Sequence, residues 1–225
     1  MKQLLSLLLI LCASFSFGQA PTANFSASPL EVCVGTPINF TDASTAGAVP
    51  IVTRTWDFGD GASSNDLNPV HTYNAGGTYT VTLVVTDQNG VADPEVKPAY
   101  IVVNPLPQTD FTFTGNGCTV PFDVTFTNAS VAGPNITYEW NFGNGQTSTA
   151  TNPPAVTYSN AGTFAVTLTV TNTTTGCVNS LTNDIVVSNF AAGIIAPTDA
   201  CVGDPILIMD QSTVGANQWN WDFGN

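Results

Sequence analysis

Few side chains in this 225-residue sequence could do chemistry, and their types and spacing limit which chemistry that is. There is one histidine, His71. A nucleophilic triad would need it beside an activated Ser, Thr or Cys, and no supporting motif surrounds it. Its place before Tyr73, at the entry to a strand, points instead to packing or hydrogen bonding. Asp57 and Asp60, in TWDFGDG at 55–61, could form a glycosidase-type carboxylate pair, which must sit about 5 to 9.5 Å apart across a cleft. The stretch recurs as EWNFGNG at 139–145 and as NWDFGN at 220–225, and there Asn141 and Asn144 replace both carboxylates. Exchanging acid for amide keeps a side-chain bond to the backbone and discards the charge, which a turn tolerates and catalysis does not. Calcium takes six to eight oxygen ligands. Asp57, Asp60, Asp66 and Asn65 are weak candidates for it, as are Asp87 and Asp93, but no EF-hand or nonapeptide signature is present. The expectation is no catalytic residue, no cofactor and at most a weak calcium site. The cysteines are not clustered as zinc ligands would be.

The elements that position these residues follow from an internal repeat. Trp56 to Trp140 is 84 residues and Trp140 to Trp221 is 81. Cys33, Cys118 and Cys201 keep the rhythm, as do Asp42, Asn128 and Asp210, each two residues before a serine. Asn68-Pro69 returns as Asn152-Pro153, and His71-Thr72-Tyr73 as Val156-Thr157-Tyr158. In GTYTVTLVVTD at 77–87, Tyr79, Val81, Leu83 and Val85 alternate with more polar neighbours; Phe164, Val166, Leu168 and Val170 do so in the second copy. Period two over eight residues is a strand with one apolar face. Further strands are expected around Ile38–Phe40, Phe122–Phe126, Tyr100–Val103 and Asp184–Val187. Short strands joined by Gly, Pro and Asn turns fold as two packed antiparallel sheets. Trp56 alternates with Asp57 and Phe58, so the aromatic pair faces the core. The same reading makes Trp140 with Phe142, and Trp221 with Phe223, core residues. Gly59 and Gly61, Gly143 and Gly145, and Gly224 turn the backbone, and Tyr73, Tyr79, Tyr158 and Phe164 complete the structural set.

The division expected is a signal peptide at 1–19, domains at 20–104 and 105–188, and the start of a third at 189–225. NPLPQ at 104–108 is a semi-rigid connector. A Cys118–Cys177 bridge within the second domain would close a loop of about 60 residues and contribute up to roughly 4 kcal/mol. Cys33 has no such partner in its own repeat and is expected to be buried and unpaired, or evidence that the early cysteine need not bridge; the counterpart for Cys201 would fall beyond Asn225.

WDFGDG, then NPVHTY, then GTYTVTLVVTD resembles the PKD domain, an immunoglobulin-like module named for polycystic kidney disease. The second copy departs at Asn141, Asn144 and Val156, which spares the aromatic and glycine positions. The resemblance implies tandem seven-stranded β-sandwiches, all-β, with the third copy truncated, used outside the cell as spacers or interaction modules. It also implies company, because such modules accompany surface adhesins and the catalytic domains of secreted proteases and polysaccharide-degrading enzymes. The leader followed by VCVGTPINFTDAS is similar to long surface proteins of Bacteroidetes.

Lys2, then LLSLLLILCASFSF, then small residues to about Gly18, has the layout of a secretory signal, so a secreted or cell-surface location is expected. Removing it leaves Arg54 and Lys97 against 16 acidic residues. That balance excludes nucleic-acid backbones as partners, since these require clustered Lys and Arg, and disfavours anionic membranes. Two function classes stay open: an adhesin-like non-catalytic spacer, and a module binding surface glycan or extracellular protein, the latter compatible with a hydrolase further along the same polypeptide. Exposed aromatic platforms would favour binding, and Trp56, Trp140 and Trp221 read as core.

Overall fold

The computed structural model describes residues 19–115, 120–188, 194–195, 208–212 and 220–222. They divide into two units, with the boundary between Pro105 and Leu106.

β-Branched and aromatic residues in alternation with Thr and Ser favour a pleated, half-buried backbone, and the regular elements among the described residues of the first unit are strands. These are β1 (Phe25–Ser28), β2 (Glu31–Cys33), β3 (Pro37–Asp42), β4 (Ile51–Asp57), β5 (Ser63–Ser64), β6 (Val70–Thr72), β7 (Gly77–Asp87) and β8 (Ala92–Asn104). One sheet runs β1-β3-β6 and the other β2-β8-β7-β4-β5. The first edge segment thus serves both layers, β1 in one sheet and β2 in the other. β2 pairs in parallel with the end of β8, from Glu31 opposite Val102 to Cys33 opposite Asn104. The remaining ladders are antiparallel.

The second unit repeats the plan with β9 (Phe111–Thr114), β10 (Phe122–Asn128), β11 (Ile136–Asn141), β12 (Thr147–Ser148), β13 (Val156–Tyr158), β14 (Gly162–Asn172) and β15 (Val178–Val187). Its sheets are β13-β10-β9 and β12-β11-β14-β15. Of the third repeat only β16 (Ile194–Ile195), paired with β17 (Met209–Asp210), is described as strand. All-β sandwiches in tandem are therefore present as the sequence indicates.

Each core lies between its two sheets. Trp56 is fully buried, edge-on to Phe25 at 5.2 Å between ring centroids and tilted against Phe40 at 5.8 Å. Trp140 repeats this against Phe111 at 5.3 Å and Phe126 at 5.9 Å. Val81, Leu83 and Val85 close the first core, and Val166, Leu168 and Val170 the second. Tyr79 and Phe164, expected on those faces, are only partly buried, since each lies near the strand's start. On the opposite face of β14 the hydroxyls of Thr167 and Thr182 meet at 2.8 Å, and those of Thr169 and Ser180 at 2.9 Å.

Trp221 departs from expectation: it is 39% exposed rather than core. In the first unit Leu83 of β7 faces Trp56, and among the described residues no counterpart of β7 lies beside Trp221. Phe223, Gly224, Trp219, Phe190, Cys118 and Cys201 lie outside the described residues. No described helix is long and apolar enough to cross a membrane.

Candidate functional site

Several polar and ionisable side chains meet at the recurring aromatic-glycine stretch. At the end of β4 the Phe58 amide donates to the Ala62 carbonyl at 3.2 Å and closes the hairpin into β5; Phe142 donates to Gln146 at 3.1 Å in the second unit. Within the hairpin the acidic or amide positions bond forward to the backbone. Asp57 Oδ1 accepts from the Gly59 amide at 2.8 Å and Asp60 Oδ1 from the Ala62 amide at 3.0 Å. Asn141 and Asn144 accept from Gly143 and Gln146, both at 3.0 Å. One oxygen is all this bond requires, so amide and carboxylate serve alike.

Glycine is required twice over at the first turn position. Gly59 has φ +81, and a Cβ there would stand 2.4 Å from the Thr80 carbonyl oxygen of β7. Gly143, at φ +74, would bring a Cβ to 2.8 Å from the Ala165 carbonyl oxygen.

The rings are tied down by their polar atoms. Trp56 Nε1 donates to the Asp66 carbonyl at 2.9 Å and Trp140 Nε1 to the Ala150 carbonyl at 3.0 Å. Tyr73 Oη donates to the Phe58 carbonyl at 2.9 Å, and Tyr158 Oη to the Phe142 carbonyl at 2.8 Å. Burial pushes the Tyr158 phenol up to about 12. Burial raises Tyr73 as well, and the Asp60 charge adds to the rise. Each phenol is thus held as a neutral donor.

His71 Nε2 lies 2.8 Å from Asp60 Oδ2, and its ring stacks on Phe58 at 4.2 Å and meets Tyr73 edge-on at 4.5 Å. Burial acts to raise the Asp60 carboxyl, but the Ala62 amide and His71 outweigh it and hold the carboxyl below its ordinary value. The imidazole packs over the turn. In the second unit Val156 fills its place and is buried, while Asn144 Nδ2 donates to the Thr157 carbonyl at 3.2 Å.

The calcium candidates do not converge. Asp66 Oδ2 accepts from Ser64 Oγ, Asp87 Oδ1 from the amides of Asn89 and Val91, and Asp93 Oδ2 from the Ala23 amide. Among the described residues no group of three or more His, Cys, Asp or Glu could hold a metal ion. Cys33 and Cys177 are both disulfide-bonded, which overturns the expectation of an unpaired Cys33. That expectation rested on the lack of a second cysteine in the Cys33 repeat, and residue type within one repeat does not report a cysteine's bonding. Cys118, the expected partner of Cys177, lies outside the described residues.

Two recurring features have roles that sequence reasoning left unassigned. Asp42 Oδ1 accepts from the Ser44 amide at 2.8 Å, Asn128 Oδ1 from Ser130 at 2.9 Å and Asp210 Oδ1 from Ser212 at 2.8 Å, so the spaced acid or amide before serine is a turn. Asn68 Oδ1 accepts from the Asp42 amide at 2.9 Å, and Asn152 Oδ1 from Asn128 at 3.0 Å. The Asp42–Arg54 ion pair, by contrast, belongs to the first unit alone; Asn128 and Tyr138 stand in its place.

Among curated proteins, a stretch of 73 residues is 42% identical to the collagenase ColQ1 of Bacillus cereus, covering 32% of this chain and 8% of that protein. Over 97 residues the chain is 34% identical to the pre-pro-metalloprotease PrtV of Vibrio cholerae, covering 43% and 10% respectively. A match of 49% over 47 residues to the collagenase ColA of Clostridium perfringens covers 21% and 4%. The chain thus spans a tenth or less of each of these relatives. They come from Bacillus, Vibrio and Clostridium and lend no support to the expected Bacteroidetes likeness. Among solved structures, the PKD1 domain of Vibrio anguillarum Epp is 31% identical, with a TM-score of 0.34, over 39% of this chain and 99% of that one. The PKD1 domain of Vibrio cholerae PrtV is also 31% identical, with a TM-score of 0.33, over 37% and 98%. The PKD domain family model matches residues 18–103 and again residues 104–188, and with most of its length so covered the chain belongs to the PKD domain family.

Proposed function

We propose that the two units are non-catalytic accessory modules of an exported protein, carried on one polypeptide with a hydrolytic domain that acts on an extracellular macromolecule. The observation that carries this reading is the fate of the repeated residues. Both indoles of the complete units are fully buried, with Nε1 committed to a backbone carbonyl, and the acidic or amide positions are committed to turn amides. Such residues build a scaffold, and the one histidine at the turn, His71, is held against Asp60 and stacked on Phe58, with Val156 in its place in the second unit. The collagenase and metalloprotease relatives, of which the chain spans so small a share, favour this over an adhesin-like spacer. The leader at 1–19 supports export, and surface glycan or an extracellular protein such as collagen is the class of macromolecule the assembly would meet.

The test is to incubate the purified chain with gelatin, casein and insoluble polysaccharides and assay both turnover and retention. The expected result is no turnover and no more retention than an unrelated β-sandwich shows. Turnover abolished by Asp60→Asn would overturn the non-catalytic reading. Tight retention on a glycan would replace the scaffold with a binding module.

A further inference from the structure

Both units leave the same sheet edge open. β4 pairs with β7 along one side, but on its other side β5 covers only Trp56 and Asp57. β11 likewise pairs with β14, and β12 covers only Trp140 and Asn141. Backbone groups of alternate strand residues face the same side. Because the Phe58 amide bonds toward β5, the amide and carbonyl of Trp56, and then of Arg54, face that side too. Arg54 lies past the end of β5, so its backbone groups point into the gap among the described residues. The Phe142 amide places those of Tyr138 likewise in the second unit.

Beside each open edge runs a groove. The first holds about 550 Å³ and is lined by Val52, Thr53, Arg54, Thr55, Asn65 and Leu67. The second holds about 500 Å³, and its walls include Ile136, Tyr138, Glu139, Thr149 and Thr151. Val52 and Ile136, Asn65 and Thr149, and Leu67 and Thr151 are corresponding positions of the repeat, so one feature occurs twice. The far wall is held by the segment whose carbonyl, at Asp66 or Ala150, accepts the indole N–H. In the first unit the aliphatic side chains beside the edge are open to solvent, Val52 at 55% and Leu67 at 54% exposure. Natural sheets block an edge of this kind with lysine, proline or a charge turned inward; Val52 to Thr55 carries no lysine or proline, and its one charge, Arg54, is neutralised by Asp42 of the facing sheet.

We propose that this edge receives an extended, basic segment of another protein, which adds to the sheet as a further strand. Addition of a strand takes affinity from main-chain bonds and specificity from side chains at alternate positions. The charge decides the occupant. Asp57 follows the open stretch of β4, Asp66 sits between the lining residues Asn65 and Leu67, and Glu139 lines the second groove. Beyond the leader the basic side chains are Arg54, paired with Asp42, and Lys97, bonded to the Phe25 carbonyl. A second copy would bring like charge to like, whereas a segment alternating Lys or Arg with Val or Ile would place cations beside the carboxylates and aliphatics beside Val52 and Leu67. This inference goes beyond the accessory role and stands whether or not a hydrolase is attached.

The experiment titrates the full, isotope-labelled chain with acetyl-Lys-Val-Lys-Val-Lys-Val-amide. The Glu-Val analogue and a Lys-Val peptide N-methylated at alternate residues serve as controls, and backbone amide shifts are followed by NMR. The expected result is saturable shifts at the Arg54 and Tyr138 amides with the Lys-Val peptide and none with either control. Leu67→Lys and Val52→Lys change exposed side chains only, and each should weaken binding at the first edge at least tenfold while leaving Tyr138 responsive. Absence of binding, or equal shifts with the N-methylated peptide, overturns the proposal. Self-association of the free chain through Arg54, seen by sedimentation, would assign the edge to a second copy and overturn it too.

Discussion

Replacing Gly59 and, separately, Gly61 by alanine sets the two demands of the recurring turn against each other. Gly59 has φ +81 and Gly61 has φ +91, so an alanine at either is held in the left-handed region, at about 1–2 kcal/mol. Their surroundings differ. The alanine methyl at position 61 meets nothing within 4 Å, whereas at position 59 it would stand 2.4 Å from the Thr80 carbonyl oxygen. That oxygen is backbone in the central strand β7, so relief requires β4 and β7 to part, at a further cost of about 1–3 kcal/mol. Gly61→Ala should thus cost about 1–2 kcal/mol and Gly59→Ala about 2–5 kcal/mol. The second is a large fraction of the roughly 5–15 kcal/mol that holds a domain folded. Urea denaturation of the full chain, followed by circular dichroism and tryptophan fluorescence, gives both values from the shift in midpoint. The same contrast is expected between Gly143→Ala and Gly145→Ala, since a Cβ at Gly143 would meet the Ala165 carbonyl at 2.8 Å and one at Gly145 nothing within 4 Å. Equal losses at Gly59 and Gly61 would refute the close approach of β7 as the reason for the first glycine.

Four other outcomes are expected. Trp140→Ala removes a fully buried indole and orphans the Ala150 carbonyl, so it should cost about 3–5 kcal/mol by urea midpoint; a loss under about 1 kcal/mol would mean the ring is not packed as described. Tyr158 is held protonated to about 12, so its stabilising contribution is complete below the ordinary phenol value near 10 and is lost as pH rises through about 12. Absorbance titration of the folded chain should therefore show late-ionising tyrosines, and ionisation of all five near the ordinary value would contradict this. The lowered Asp60 pKa gives a contribution that is present above the carboxyl's usual 3.8 and lost as pH falls through the folded value. Asp60→Asn should flatten the acid limb of the first unit's stability curve, and an unchanged limb would remove the His71 contact from the account. Added calcium should leave the thermal midpoint unmoved, and a rise of several degrees would restore the acidic turn as a metal site.

Most of the architecture was legible because it rests on local period. Alternation in GTYTVTLVVTD places Val81, Leu83 and Val85 inward without reference to any other segment, and the 84-residue spacing fixes the copy number. The turn was legible for the same reason: Asp57 and Asn141 bond only two residues ahead. What was hidden depends on residues distant in sequence. The Asp42–Arg54 pair joins strands of different sheets, and nothing local marks them as neighbours. The bond from Trp56 Nε1 to the Asp66 carbonyl gives no sign in residue type, since any residue supplies a carbonyl. β2 was missed because three residues carry too little pattern, and their strand exists only through pairing with the end of β8. Cys33 was misjudged for a related reason, since its own repeat is silent about its bonding.

The parallel pairing of β2 with the end of β8 bears on how the first unit answers a pull. Tension entering through the segment before β2 and leaving through Asn104 would draw the two strands past each other lengthwise, so their bonds at Glu31–Val102 to Cys33–Asn104 would resist as a set and not peel one at a time. Opening under load is a question of rate, and a joint that must fail all at once gives a slower one. A protein working against flow or a moving surface could keep this module shut through forces that would unzip an antiparallel hairpin.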